Sequence, residues 1–477
     1  MWAVVAGAVA VITIIYSLRQ WRNPECNGVL PPGSMGLPFI GESLELLVRS
    51  YSLDLHPFIK KRVQRYGAIF RTSLIGRPVV VSTDPELNHL IARQEGRLVE
   101  MWYLDSFSKL LKMEGENKIS MLGLIHKHTR SIALNHFGAD RIKKSLLPQI
   151  EHCVNKTLRE WSRQPSVEVK RAASVMTFDF SAKYLFGYDA EKSPVNMSEK
   201  LSNTLKSLMS FPLNIPGTAY HKCLKDREEF LNMLRNITEE RLASPEKHRS
   251  TGDFLDQAIN IEGDNDQKVF SSELIINILF ALSFVSFDSI STPLSLTIKL
   301  LADHPSVLQE LTAEHEEILK KRENPNAILT WDEYKSMTFT LYVINETLRL
   351  GFVAPGLLRK VLKDIEYKGY TIPVGWTVIL ANPALHLHPN TYNDPLTFNP
   401  WRWKDIDRDV VSKNFMPFGG GVRQCAGADY SKAFMATFLH VMVTKYRWKK
   451  VKGGNIVRNP ILGFVDGIHV NVSEKRD

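Results

Sequence analysis

Near its C-terminal end the chain reads Phe418-Gly419-Gly420-Gly421-Val422-Arg423-Gln424-Cys425-Ala426-Gly427, and a helix-like stretch runs on from Ala428 to Thr444. A thiol at a helix N-terminus meets unpaired backbone N–H groups and the positive end of the helix dipole, which favour the thiolate. The glycines let the backbone pass close to a flat, bulky ligand, and Arg423 stands two residues away to meet a carboxylate. A second group able to do chemistry is Asp288-Ser289, an acid beside an alcohol in a long apolar stretch. Such a pair is costly to bury without a role. Glu346-x-x-Arg349 is a third, with its two charges on one helix face; alone, that spacing equally describes a solvated surface pair. Cys26, Cys153 and Cys223 lack comparable surroundings and are widely spaced. No disulfide framework or zinc site is expected, and this cysteine usage suits a reducing cytosol.

The elements that must hold these residues are mostly helical. Leu274–Phe287, 14 residues, is almost entirely apolar, and the helix continues past Pro293 towards Leu301. That length suits a buried core helix better than a membrane span. Ser271 and Ser272 are candidate N-caps, and Glu273 complements the helix dipole. Pro293 has no amide to bond the Ser289 carbonyl four residues earlier, so a kink is expected there. Helical periods also cover 143–162, 227–242 and 342–350. Strand signals appear at 69–74 and 79–82 around a Gly76-Arg77-Pro78 turn, then at 365–372 and 377–381. The expected fold is mainly α with small β-sheets, and one large domain accounts for the length.

The spacing F-x-x-G-x-x-x-C-x-G, matched at Phe418, Gly421, Cys425 and Gly427, resembles the cytochrome P450 family. A thiolate ligand on haem iron donates electron density that favours O–O cleavage. The resemblance implies haem b held by Cys425, with Phe418, Gly421, Arg423 and Gly427 lining the cysteine loop. It implies that Arg359, His126 and Arg130 meet the haem carboxylates. Many family members carry tryptophan where this chain has His126, but a histidine still donates a hydrogen bond. Asp288 and Ser289 correspond to the acid–alcohol pair that relays protons. Val285 and Ser286 stand where small residues are common, and Ser289 replaces a threonine. Glu346 and Arg349, joined by Arg402 of the Phe398-Asn399-Pro400-Trp401-Arg402-Trp403 segment, correspond to a structural triad. Trp102, Leu104, Leu282, Val285, Val353, Leu357 and Phe464 correspond to substrate-contact positions, as do Tyr103, Ala354, Leu358 and Leu462. That lining suits a large, rigid hydrocarbon.

Residues 2–18 carry no charge, and Arg19 and Arg22 follow. Seventeen residues reach the lower limit of a spanning helix, and the trailing arginines put the rest of the chain in the cytosol. A cleaved signal peptide would want a basic n-region, which is missing. The expected organisation is an anchor over 2–22, a proline-rich hinge over 23–50 and a catalytic domain over 51–477, on the endoplasmic reticulum. The sequons at Asn155 and Asn236 would then face the cytosol unmodified. The segment 210–217 reads either as a packed loop or, by the resemblance, as one dipping into the bilayer.

The net charge is +9, from 60 basic and 51 acidic residues, without a dense basic stripe. That argues against nucleic acid and for an acidic electron donor or anionic lipid. The hinge, the cysteine approach and the Thr444-Lys-Tyr-Arg-Trp448 ending resemble the plant branch that oxidises sterols and triterpenoids. The expected activity is oxidation of such a substrate, either a pentacyclic amyrin-type skeleton or a sterol side chain. Electrons would come from NADPH through a separate reductase. An oxygen-independent haem-thiolate isomerase is the competing enzyme class, against which Asp288-Ser289 speaks. A membrane-anchored haem- or sterol-binding protein is the non-enzyme alternative.

Overall fold

Helical periodicity becomes helix in the computed structural model, which describes residues 2–103, 123–193, 197–208, 213–243, 252–262, 268–324, 327–459 and 461–475. The principal helices are α1 (Trp2–Arg22), α2 (Pro85–Arg93), α3 (Leu124–Phe137), α4 (Leu147–Ser162), α5 (Val169–Phe186), α6 (Ala219–Ala243), α7 (Ser272–Asp303), α8 (Pro305–Lys320), α9 (Thr338–Leu350) and α10 (Ala428–Lys445). The strands used below are β1 (Ile69–Leu74), β2 (Arg77–Ser82), β3 (Val99–Met101), β4 (Leu357–Val361), β5 (Ile365–Tyr367), β6 (Tyr370–Ile372), β7 (Thr377–Leu380), β8 (Ile456–Arg458) and β9 (Leu462–Phe464).

The α7 helix is apolar on nearly all sides, so it belongs in the interior. Its most apolar window has a mean hydropathy of 1.9 and is 67% buried inside the protein, as a core helix should be. Ser271 caps it, accepting from the Leu274 N–H at 3.3 Å. Pro293 lies inside the helix without ending it. The buried hydroxyls fold back onto their own helix, as with Ser283 on Leu279 O (2.7 Å) and Thr297 on Pro293 O (2.9 Å). Along α7 runs α5, joined by Ser174–Ser291 (2.9 Å) and by Thr177 donating to Phe287 O (3.2 Å). Such a bond nets only about 1 kcal/mol, but a buried hydroxyl left unmade would cost more. On the other side of the core, α10 packs against α4, α8 and α9.

Five strands form a sheet in the order β1-β2-β7-β4-β3, with only β2 and β7 parallel. The turn between β1 and β2 is Ile75-Gly76, with φ of 51° and 69°. Arg77 and Pro78, expected in the turn, already pair with Leu74 and Ser73. The single strand signal over 365–372 resolves into a β5–β6 hairpin turning at Lys368-Gly369, again with two positive φ values. Both are the φ signs that suit the twist of two-residue hairpins.

The described side chains of helix α1 are exposed as far as Gln20, Ile12 at 65% and Tyr16 at 64%. At its end Trp21 donates to the Gly36 carbonyl (3.4 Å) and packs on the sheet. The proline-rich stretch is stitched to β1: Arg71 donates its backbone N–H to Pro32 O (2.8 Å) and its guanidinium to Pro31 O (3.1 Å). Gly33 has φ of 151°, and a Cβ there would run into the Arg71 carbonyl. Of the 210–217 segment, residues 210–212 lie outside the described residues; Leu213 and Ile215 are exposed.

Candidate functional site

Cys425 lies in the loop that leads into α10, its backbone N–H donating to Phe418 O at 2.9 Å. Gly419 and Gly421 have φ of 70° and 66°. A Cβ at Gly421 would collide with the Ala92 carbonyl of α2, so the loop can lie against that helix only with glycine there. Gly427 has an ordinary φ of −89° and caps α10. Lys432 sits over the Phe418 ring at 5.7 Å. Cys425 alone among the four free cysteines is exposed, yet protein atoms crowd its sulfur. That burial pushes the thiol above its ordinary value; the Gly427 N–H and the Arg130 charge pull the other way without prevailing. The expected thiolate is therefore not favoured by the helix terminus alone, because one N–H does not offset the desolvation. A coordinated metal cation deprotonates a thiol outright.

Cations gather around this loop. His126 and Arg130 lie one turn apart on α3, and Arg130 donates to the Gln424 carbonyl. His126 is held neutral, its pKa brought down to about 4 by burial first and then by Arg423 and Arg130. Arg359, from β4, and Arg423 share one buried carboxylate, Glu95, at 3.0 and 3.1 Å. Glu95 also accepts the Met101 N–H at 2.9 Å. Neither Arg359 Nε nor Glu95 Oε2 has an aligned hydrogen bond despite their close approach. Sequence reasoning missed Glu95; it stands alone in a short turn after α2, 328 residues from Arg423.

This arrangement meets the demands of haem b. Two buried guanidiniums balanced by one carboxylate keep a net positive charge for an acidic group. Arg130 adds a cation without a carboxylate partner among the described residues. The solvent-reachable thiol lies on a glycine loop, within electrostatic reach of Arg130.

Behind the loop the triad comes together. Glu346 and Arg349 have fully buried side chains and pair through two bonds of 2.9 and 2.8 Å; Arg402 reaches Glu346 at 3.0 Å. The carboxylate also accepts Trp403 Nε1 and the Asn399 N–H, each at 3.0 Å, which the sequence did not reveal. Arg349 donates to His386 O at 2.9 Å, and His386 Nε2 accepts the Met416 N–H at 3.0 Å. Burial, then the Arg349 charge, brings the His386 pKa down to about 3, so its ring stays a neutral acceptor. The brace thus reaches the cysteine loop through His386.

On α7, Val285 and Ser289 lie one turn apart and are exposed, with Leu282 half-buried near them. The Ser289 hydroxyl makes no hydrogen bond among the described residues. Asp288 points elsewhere: it is buried and ion-paired with Lys170 of α5 at 3.1 Å. The expected acid and alcohol are thus neighbours in sequence but lie on different faces. Trp102 donates its backbone N–H to Leu358 O (3.3 Å), with the Arg77 guanidinium 5.6 Å from its ring. Val353, Leu357 and Phe464 are half-buried, whereas Leu462 is core at 1% exposure. Leu104 lies outside the described residues. A groove of about 1160 Å³ between α4 and α5 contains none of these residues. There burial pushes the Cys153 thiol up to about 12, which leaves it unreactive.

The cytochrome P450 family profile matches residues 31–467. The chain belongs to the cytochrome P450 family. This P450 is 53% identical over 477 residues to cucurbitadienol 11-hydroxylase of Siraitia grosvenorii, with 100% of both chains covered. It is 51% identical over 478 residues to beta-amyrin 16-alpha-hydroxylase of Maesa lanceolata, again with 100% of both covered. A solved structure of a retinoic-acid-bound cyanobacterial P450 is similar at a TM-score of 0.82 and 26% identity, covering 94% of this chain and 100% of that one. As a member of the family the protein is a haem-dependent monooxygenase whose electrons come from NADPH through a reductase.

Proposed function

We propose that this P450 hydroxylates a C–H bond of a tetracyclic or pentacyclic triterpenoid. The observation that carries this reading is identity above 50%, end to end, with two hydroxylases named for such skeletons. In balance, R–H, dioxygen, NADPH and a proton give R–OH, water and NADP⁺. Haem b, when bound, supplies the oxygen activation and the insertion.

The protein's own residues do the rest. Cys425 would hold the haem iron through its sulfur, in a loop fixed by Phe418 O and the glycines. Arg359, Arg423, Arg130 and neutral His126 would hold the cofactor's carboxylates. Leu282, Val285, Val353, Leu357 and Phe464 bind the hydrocarbon by apolar contact and exclude water. Trp102 closes the lining against β4. Ser289 hands on a proton at its Oγ. Asp288 acts with it only by leaving Lys170 or through a bridging water.

Helix α1 serves as the membrane anchor, since its exposed apolar residues find no partner on the domain, and Arg19 and Arg22 keep the domain cytosolic at the endoplasmic reticulum. Phe39 (88% exposed), Leu44, Val48 and Tyr51 extend that apolar surface onto the domain, where an entering lipid-soluble substrate would first meet it. The electron donor is NADPH–cytochrome P450 reductase. The test is metabolite profiling of yeast that makes several triterpene skeletons and carries this protein with its reductase. A singly hydroxylated product from a cucurbitane or oleanane skeleton is expected. Products from none of them, but from a sterol or a smaller terpene, would overturn the substrate class.

A further inference from the structure

We infer that Glu95 is a positioning residue that orients both Arg359 and Arg423 and sets the reduction potential of the bound haem. The inference rests on the assignment of those arginines to the haem carboxylates. Three observations carry it. First, Glu95, Arg359 and Arg423 have side chains only 5%, 6% and 7% exposed, so their charges are poorly screened by water. Second, one carboxylate serves two arginines from separate elements, β4 and the cysteine loop, with a different oxygen to each: Oε2 to Arg359 Nε and Oε1 to Arg423 Nε. Third, Glu95 is itself fixed. Its Oε1 accepts the Met101 N–H, and Met101 pairs in register with Arg359 where β3 meets β4. The strand register and the carboxylate therefore hold the same arginine from two sides.

The charge count gives the consequence. With Glu95 in place the cluster is +1; without it, +2. Reducing the haem adds an electron, and extra positive charge in a poorly screened site favours the reduced form. Glu95 thus lowers the potential while it holds the cations in line. A carboxylate that only filled space would leave the potential where it is.

The experiment is a spectroelectrochemical titration of the holoprotein for the parent, Glu95→Gln, Arg359→Gln and the double variant. Glu95→Gln should raise the ferrous-to-ferric ratio at a fixed potential about tenfold, a positive shift of about 59 mV for a one-electron couple. Arg359→Gln should shift it the other way. The double variant carries +1 again and should return close to the parent. If Glu95→Gln yields no holoprotein, the rise from Arg359→Gln to the double variant supplies the same difference, and losing both partners is the milder change. A double variant displaced as far as Arg359→Gln, in the same direction, would overturn the inference. The propionate reading fails separately: it is wrong if Arg359→Gln and Arg423→Gln each leave both potential and haem-loss rate unchanged.

Discussion

The cysteine, the hydroxyl and the buried carboxylate each make a separate claim. Cys425 is the one exposed thiol, so Cys425→Ala should abolish the reduced carbon monoxide band characteristic of thiolate-ligated haem. An unchanged band would move the ligand elsewhere. Ser289, exposed on α7 beside Val285, should behave differently when replaced by alanine. The haem spectrum and the substrate-induced shift should stay, while product per NADPH falls and peroxide rises. A tenfold loss would correspond to only about 1.4 kcal/mol in the barrier, so coupling must be measured alongside rate. Parent-like coupling would leave Ser289 with a packing role. The Asp288–Lys170 contact separates the acid from the alcohol, so Asp288→Asn should slow turnover while leaving coupling less affected than Ser289→Ala does.

At the scale of elements, the brace is the strongest structural claim. Glu346→Gln would strip the charge from a carboxylate that serves Arg349, Arg402, Trp403 and the Asn399 N–H. Removing one partner of a buried ion pair costs roughly 3–5 kcal/mol. Folded, haem-loaded protein should therefore fall steeply, as read by chemical unfolding of whatever remains; a parent-like midpoint would show that the brace is dispensable. Much of this scale was legible in the sequence, because its signals are local. The i, i+3 spacing of Glu346 and Arg349, the strand signals of β1 and β2 around their turn, and the capped apolar run of α7 each use only neighbouring residues. What was not legible depends on meetings across the fold. Glu95 acquires its role only when β3 pairs with β4 and the cysteine loop reaches α2. His386 becomes a link only because Arg349 takes its carbonyl and Met416 its ring nitrogen. The relation between Asp288 and Ser289 was hidden by adjacency: residues one apart on a helix point about 100° apart, since a turn takes about 3.6 residues.

For the molecule as a whole, pH and membrane carry the predictions. Buried His136, His386 and His440 have pKa values lowered to about 4, 3 and 4, with burial the first cause in each, and His315 is also held well below its ordinary value. Each stays neutral when folded and takes a proton when unfolded. Stability is therefore level above about pH 6.5 and falls as the pH drops from there towards about 4, by up to about 1.4 kcal/mol per pH unit per histidine. The unfolding temperature should decline through that window, and a flat profile from pH 7 to 5 would contradict the neutral, buried assignment. In sealed microsomes, protease added outside should digest the domain that follows α1, and full protection would reverse the topology. The central claim, that this P450 inserts an oxygen atom into a triterpenoid C–H bond at a haem held by Cys425, is tested most directly with isotopic dioxygen. Purified protein, reductase and NADPH would be given cucurbitadienol or beta-amyrin under ¹⁸O₂, beside the Cys425→Ala variant. The account predicts a hydroxylated product carrying one ¹⁸O atom from the parent and none from the variant; product oxygen drawn from water, or formed without NADPH, would contradict it.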